Sequence, residues 1–240
     1  MDPNQYENQN QSPMNKNMVP LAIVIAGALI AAAVYFGGGD TSLRSLTDNS
    51  QEPVTTRSEV APVTEKDHIL GNANAEIVVV EYSDTECPFC KVFHATMHQV
   101  VEDYQGRVAW VYRHFPIVQL HARAPKEAEA TECAAELGGN QAFWSYIDRL
   151  FELTTSNDGL DPAELPKIAA AVGLNQAAFN TCLSSGRYTN FVAQSVEEAV
   201  KAGARGTPHS IILTRDGKQV VINGAEPVAS VKAKIDSLIE

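Results

Sequence analysis

The stretch from Glu81 to Cys90 reads Glu-Tyr-Ser-Asp-Thr-Glu-Cys-Pro-Phe-Cys and restricts the fold more than any other feature of this chain. Just before it, Ile77-Val78-Val79-Val80 is an unbroken apolar, β-branched run, the pattern of a strand covered on both faces. After it, Phe93, Met97, Val100, Val101 and Tyr104 recur at helical spacing and mark one apolar face. A Cys-x-x-Cys pair therefore sits where a buried strand hands over to a helix. Pro88 suits the first helical turn, where its missing N–H costs nothing.

That position favours thiol chemistry. The first N–H groups of a helix lack partners and carry partial positive charge, so a thiol placed there is biased toward thiolate, the form that attacks disulfides. Cys90 lies one turn beyond Cys87, close enough to close a ring with it. The helical wheel points Cys90 near the apolar face and Cys87 away from it. Cys87 is thus expected to be the exposed nucleophile and Cys90 its buried partner; two unpaired structural cysteines are the bland alternative. A zinc site of Cys87, Cys90, His94 and His98 is rejected: all four would lie on one helix spanning about 16 Å, and a tetrahedral site needs two elements to converge. His94 stands about 10 Å from Cys87, too far for a catalytic pair, so His94 and His98 are read as packing or surface residues. No metal or other cofactor is expected; the dithiol is itself the redox group. His114 and His121 receive no role.

The formal net charge of the 240 residues is −11, and no run of Lys or Arg occurs, which argues against nucleic acid and anionic lipid headgroups as partners. Residues 1–17 are polar and rich in Asn and Gln, the composition of a disordered tail. Residues 18–36 form an uncharged apolar stretch long enough to span a bilayer. They are read as a single-pass anchor, with cleavage of a signal peptide near Ala31-Ala32-Ala33 as the alternative, leaving a secreted domain. Residues 37–65 lack periodicity and read as a flexible linker, which leaves 66–240 as the folded domain. Its pattern is strand Glu76–Ser83, helix Pro88–Tyr104 and strand Val108–His114, a parallel β-α-β unit. An all-helical block follows over about 122–202, with helices at Pro125–Leu137, Gln141–Leu153, Pro162–Val172, Gln176–Ser184 and Tyr188–Ala202. Strands Ser210–Thr214 and Gln219–Asn223 flank an Asp216-Gly217 turn, and helix Val228–Ile239 closes the chain.

Glu81 six residues before Cys-Pro-x-Cys, a helical insertion, and Thr207-Pro208 ahead of a hairpin and a final helix together resemble the DsbA-type thiol–disulfide oxidoreductases, most of all their membrane-anchored members. The resemblance covers about residues 67–240. It implies an α/β thioredoxin fold with an inserted helical subdomain. It also implies a cis-Pro208 beside the cysteines, with Thr207 offering its backbone to an extended substrate, and Pro88 and Phe89 bordering the same substrate. An acid at Glu81 would relay a proton to and from Cys90. Several members of the family carry a second pair like Cys133 and Cys182, so a structural disulfide is implied here; two free buried thiols are the alternative. Glu86, next to Cys87, is expected to be a partly screened surface charge that opposes the thiolate.

The function implied is disulfide exchange with extracytoplasmic proteins, as an oxidase that a membrane redox partner reoxidises. The catalytic domain would then lie on the periplasmic or extracellular side of the cell membrane, where structural disulfides persist. Two rivals stand beside this: the same site used as a reductase or isomerase, and a non-catalytic protein-binding module on the same fold.

Overall fold

A computed structural model describes residues 59–239. The tail, the apolar span over 18–36 and most of the linker lie outside them. Among the described residues no helix is long and apolar enough to cross a membrane. The elements run β1 (His68–Gly71), β2 (Ile77–Ser83), α1 (Pro88–Asp103), β3 (Val108–His114), α2 (Ala124–Leu153), a 3-10 turn (Pro162–Glu164), α3 (Leu165–Ala171), α4 (Gln176–Ser185), α5 (Thr189–Lys201), β4 (His209–Thr214), β5 (Gln219–Asn223) and α6 (Val228–Asp236).

The five strands form one sheet in the order β1-β3-β2-β4-β5. β2 and β3 pair in parallel across α1, and the other neighbours are antiparallel. β2 and β3 lie inside the sheet with both faces covered, as an unbroken β-branched run requires. Ile77 and Val79 face a core of Phe93, Met97 and Val100 from α1 and Val231 and Ile235 from α6. Val80 and Tyr82 face the opposite core, with Ala199 from α5. This is a thioredoxin fold. The helical insertion adds a third core, in which Tyr146 and Leu150 of α2 meet Ile168 and Phe179.

Three local expectations are corrected. β1 was not anticipated, because four residues are too few to display alternation. The helices expected at 125–137 and 141–153 are both present and meet at a kink within α2, where Gly139 (φ 71°, ψ −166°) leaves helical geometry with dihedrals that a side chain would disfavour. The final helix stops at Asp236 rather than Ile239. Residues 61–65, assigned to the linker, touch the domain: the buried Arg113 guanidinium donates to the Ala61 and Pro62 carbonyls and forms an ion pair with Asp67 at 2.7 Å.

Cys133 of α2 and Cys182 of α4 are joined in a disulfide that closes a separation of 49 residues within the third core. Chain entropy alone makes such a loop worth about 4 kcal/mol. Replacing both cysteines by alanine should lower the denaturation midpoint markedly while leaving disulfide exchange at Cys87 largely intact. An unchanged midpoint in chemical denaturation would contradict this.

Candidate active site

The chain bends out of β2 at Ser83 and enters α1 at Pro88, so Cys87 becomes the N-cap residue (φ −77°, ψ 122°), at the end of the helix where the first N–H groups are free. Cys90 follows inside the first turn and is fully buried, and the Asp84 N–H approaches its sulfur at 3.4 Å. Cys87 is not the exposed residue expected from the helical wheel. It keeps only 5% of its surface, because the loop ahead of β4 covers it: Cys87 Sγ lies 3.5 Å from the Thr207 carbonyl oxygen. The Thr207–Pro208 peptide bond is cis. Thr207 and Pro208 therefore stand directly against Cys87 from 120 residues away. Pro88 and Phe89, between the cysteines, point outward, and Phe89 is 63% exposed.

The two sulfurs are electrostatically unlike. A hydrogen bond from the Cys90 thiol, with help from Thr207 and the N–H groups of Cys90 and Phe89, holds the Cys87 thiol at about 6, well below its ordinary value. Cys90 is pushed the other way by burial and by sharing that same bond. Glu81, in the middle of β2 beneath the dithiol, is fully buried, and burial raises its carboxyl to about 8. Neither of its oxygens has a partner at ordinary hydrogen-bond geometry, nor do the Ser83 and Ser210 hydroxyls and the Trp110 indole N–H, but Ser83 and Trp110 stand near enough to offset part of the effect of burial. Ser210 is Glu81's register neighbour on β4. A neutral carboxylic acid thus lies in a small polar enclave at the floor of the site.

Glu86 departs from the expected exposed charge. It is fully buried and turned away from the solvent. Its carboxylate accepts from the Thr154 hydroxyl at 2.9 Å, the Gly159 N–H at 3.0 Å and the Leu160 N–H at 3.2 Å. Its carbonyl accepts from the Asn157 N–H at 2.8 Å. These bonds hold a loop in which Ser156, Asn157 and Asp158 all have positive φ. The residue before Cys87 is therefore the anchor that ties the loop between β2 and α1 to the insertion.

Asp84 and His121 received no role from the sequence and belong here. Asp84 accepts from the Ile117 N–H at 2.7 Å and from His121 Nδ1 at 2.9 Å. Burial lowers the His121 imidazole, but the bond to Asp84, the charge of Asp84 and the charge of Cys87 outweigh it, so its pKa is raised. The pair is 37 residues apart in sequence, beyond the reach of any local pattern. The loop that carries His121 also exposes Val118 (51%) and Leu120 (68%).

A model of the family described as thioredoxin matches residues 63–237, and the chain belongs to this family. Within it the fold is of the DsbA type. The structure of Pseudomonas aeruginosa DsbA2 is 29% identical, with a TM-score of 0.63 over 74% of this chain and 96% of that one. Wolbachia pipientis alpha-DsbA1 is 25% identical, with a TM-score of 0.64 over 76% and 95%. The oxidised BdbD of Bacillus subtilis is 21% identical, with a TM-score of 0.62, and shares the fold over 73% of this chain and 94% of that one. Curated relatives are longer proteins. The Na(+)/H(+) antiporter NhaA 3 of Salinispora tropica is 36% identical over 60% of this chain and 21% of its own length. NhaA 1 of Mycolicibacterium gilvum is 31% identical over 76% and 29%. The chain thus spans less than a third of the curated relatives it matches.

Two outcomes follow from this geometry. Alkylation of reduced Cys87 by iodoacetamide should rise with pH and level off above about pH 6, whereas an ordinary thiol keeps gaining reactivity up to about 8.5. A profile still climbing at pH 8 would contradict the assigned thiolate. Glu86→Gln leaves one acceptor oxygen where the carboxylate offers two, and turns an NH2 group toward other donors. It should cost about 1–3 kcal/mol in stability, read as a shift in the denaturation midpoint. No shift would mean that the loop is held by something else.

Proposed function

We propose that this chain is a thiol–disulfide oxidoreductase that works through Cys87-Pro88-Phe89-Cys90 and runs as an oxidase of extracytoplasmic proteins. The observation that carries the reading is the placement of the pair: Cys87 caps the helix N-terminus against Thr207 and Cys90 is fully buried one turn on, which favours a thiolate at Cys87 and a protonated Cys90. A thiolate that is comfortable in the reduced state makes the disulfide a willing electron acceptor.

In the oxidised enzyme a substrate thiolate attacks Cys87 Sγ. The Cys87–Cys90 bond breaks, a mixed disulfide forms at Cys87, and Cys90 leaves with the electron pair. Glu81, neutral at pH 7 and close enough for its charge to act on Cys90, supplies the proton that Cys90 takes up. A second substrate thiolate then attacks the substrate sulfur of the mixed disulfide. Cys87 departs as the thiolate that its surroundings favour. Two electrons have passed from two substrate thiols to the enzyme, and a membrane redox partner removes them. Thr207 and the cis-Pro208 border the groove where an extended substrate would lie, and Phe89, Val118 and Leu120 give its rim apolar surface suited to unfolded chains. The Cys133–Cys182 disulfide supports a location outside the cytoplasm, and residues 18–36 would tether the domain to the membrane there.

Cys87→Ala should abolish exchange, whereas Cys90→Ala should accumulate mixed disulfides with substrate, since the resolving thiol is gone. Mass spectrometry of the trapped adducts locates the sulfur. Adducts formed through Cys90 would reverse the two roles, and none at all would remove the catalytic reading.

A further inference from the structure

His94 and His98 lie on α1, one turn apart, and the fold brings Asp148 of α2 against both. His94 Nε2 is 2.7 Å from Asp148 Oδ1, His98 Nε2 is 2.9 Å from the same oxygen, and the two imidazole nitrogens are 3.2 Å from each other. Three ligand atoms of metal-binding type thus face one another. The objection that one helix cannot build a tetrahedral site no longer applies, because the third ligand comes from a second helix and neither cysteine is needed.

We propose that His94, His98 and Asp148 form a binding site for a divalent transition metal ion of the zinc class, bridging the redox helix α1 to α2. Zinc takes nitrogen and carboxylate oxygen ligands at about 2.0–2.2 Å. The three separations leave a point about 2.05 Å from every ligand atom and about 1.1 Å out of their plane, so the ion fits with small adjustment. Charge points the same way. Among the described residues Asp148 has no Lys or Arg partner, only the two imidazoles, so neutral imidazoles leave one formal negative charge that a divalent cation would neutralise. His98 and Asp148 are each more than a third exposed, which gives an ion entry from solvent and leaves room for water as a fourth ligand. The inner wall is aromatic and buried: the Phe151 ring lies 4.6 Å from the His94 ring between centroids, and Trp110 and Trp144 lie 5.0 and 6.4 Å from it. The site is separate from the sulfur chemistry and stands whether or not that reading does.

The chain has two tryptophans, and both ring systems border the site, so a paramagnetic ion placed there should report itself. The experiment is a Co2+ titration of the full chain carrying Cys87→Ser and Cys90→Ser, which removes thiolate ligands from consideration. The expected result is one equivalent of Co2+ per chain, with visible ligand-field absorption, quenched tryptophan fluorescence and displacement by Zn2+. His98→Ala and Asp148→Asn, two partly exposed positions whose metal-free thermal midpoints report that they fold, should each weaken binding at least tenfold. Absence of the Co2+ absorption, or variants that both bind as tightly as the parent, would overturn the proposal.

Discussion

A hydrogen bond from the Cys90 thiol to the Cys87 sulfur decides which of two adjacent cysteines carries negative charge, and much of the fold serves that choice. The bond requires Cys90 to remain protonated, and burial in the core under α1 ensures it. It requires Cys87 to sit at the helix N-terminus, and the turn from β2 into Pro88 puts it there. Burial likewise keeps Glu81 neutral. Its pKa of about 8, against an ordinary 4.5, means that ionising it in place costs the fold about 5 kcal/mol. That contribution to stability is complete below about pH 4.5 and is lost as the pH rises toward 8. A core carboxyl so costly to ionise stands apart from ordinary packing residues, and proton transfer to and from Cys90 is the role proposed for it.

The helical insertion is bound to this junction from its other side. Glu86, directly before Cys87, ties the loop after α2 to this junction, and Lys91 of α1 donates to the Thr154 carbonyl at 2.5 Å in the same loop. Thr85 donates to Glu127 of α2 at 2.7 Å, and burial together with the neighbouring Glu86 raises the Glu127 carboxyl to about 8. Four consecutive residues, from Asp84 to Cys87, thus each make a contact with a distant segment, and the redox loop is held from several directions at once. Such over-determination is what keeps a catalytic geometry fixed while substrates come and go.

Four of the five strands were legible because Ile77–Val80 and Val108–Val111 are unbroken apolar runs that suit covered strands, and because Asp216-Gly217 divides the two strands of the hairpin. Gly138-Gly139 was legible as a break between two helices, because glycine takes the non-helical dihedrals found at Gly139 more readily than any other residue. The cysteine pair was legible because its signal is local. Thr207 and Pro208 came only through family resemblance, since nothing near them in sequence refers to Cys87. Glu86 was read backwards: a loop carboxylate has no periodicity to reveal which way it points, and its partners lie 68 to 74 residues on. Asp84 with His121, and His94 with Asp148, escaped for the same reason.

The reduction potential of the Cys87–Cys90 couple, measured by equilibration with glutathione buffers, tests the central claim most directly. A thiolate stabilised as described predicts a potential more oxidising than thioredoxin's, about −270 mV, and short of the roughly −120 mV of DsbA. A value at or below about −270 mV would contradict it and assign the site to reduction instead.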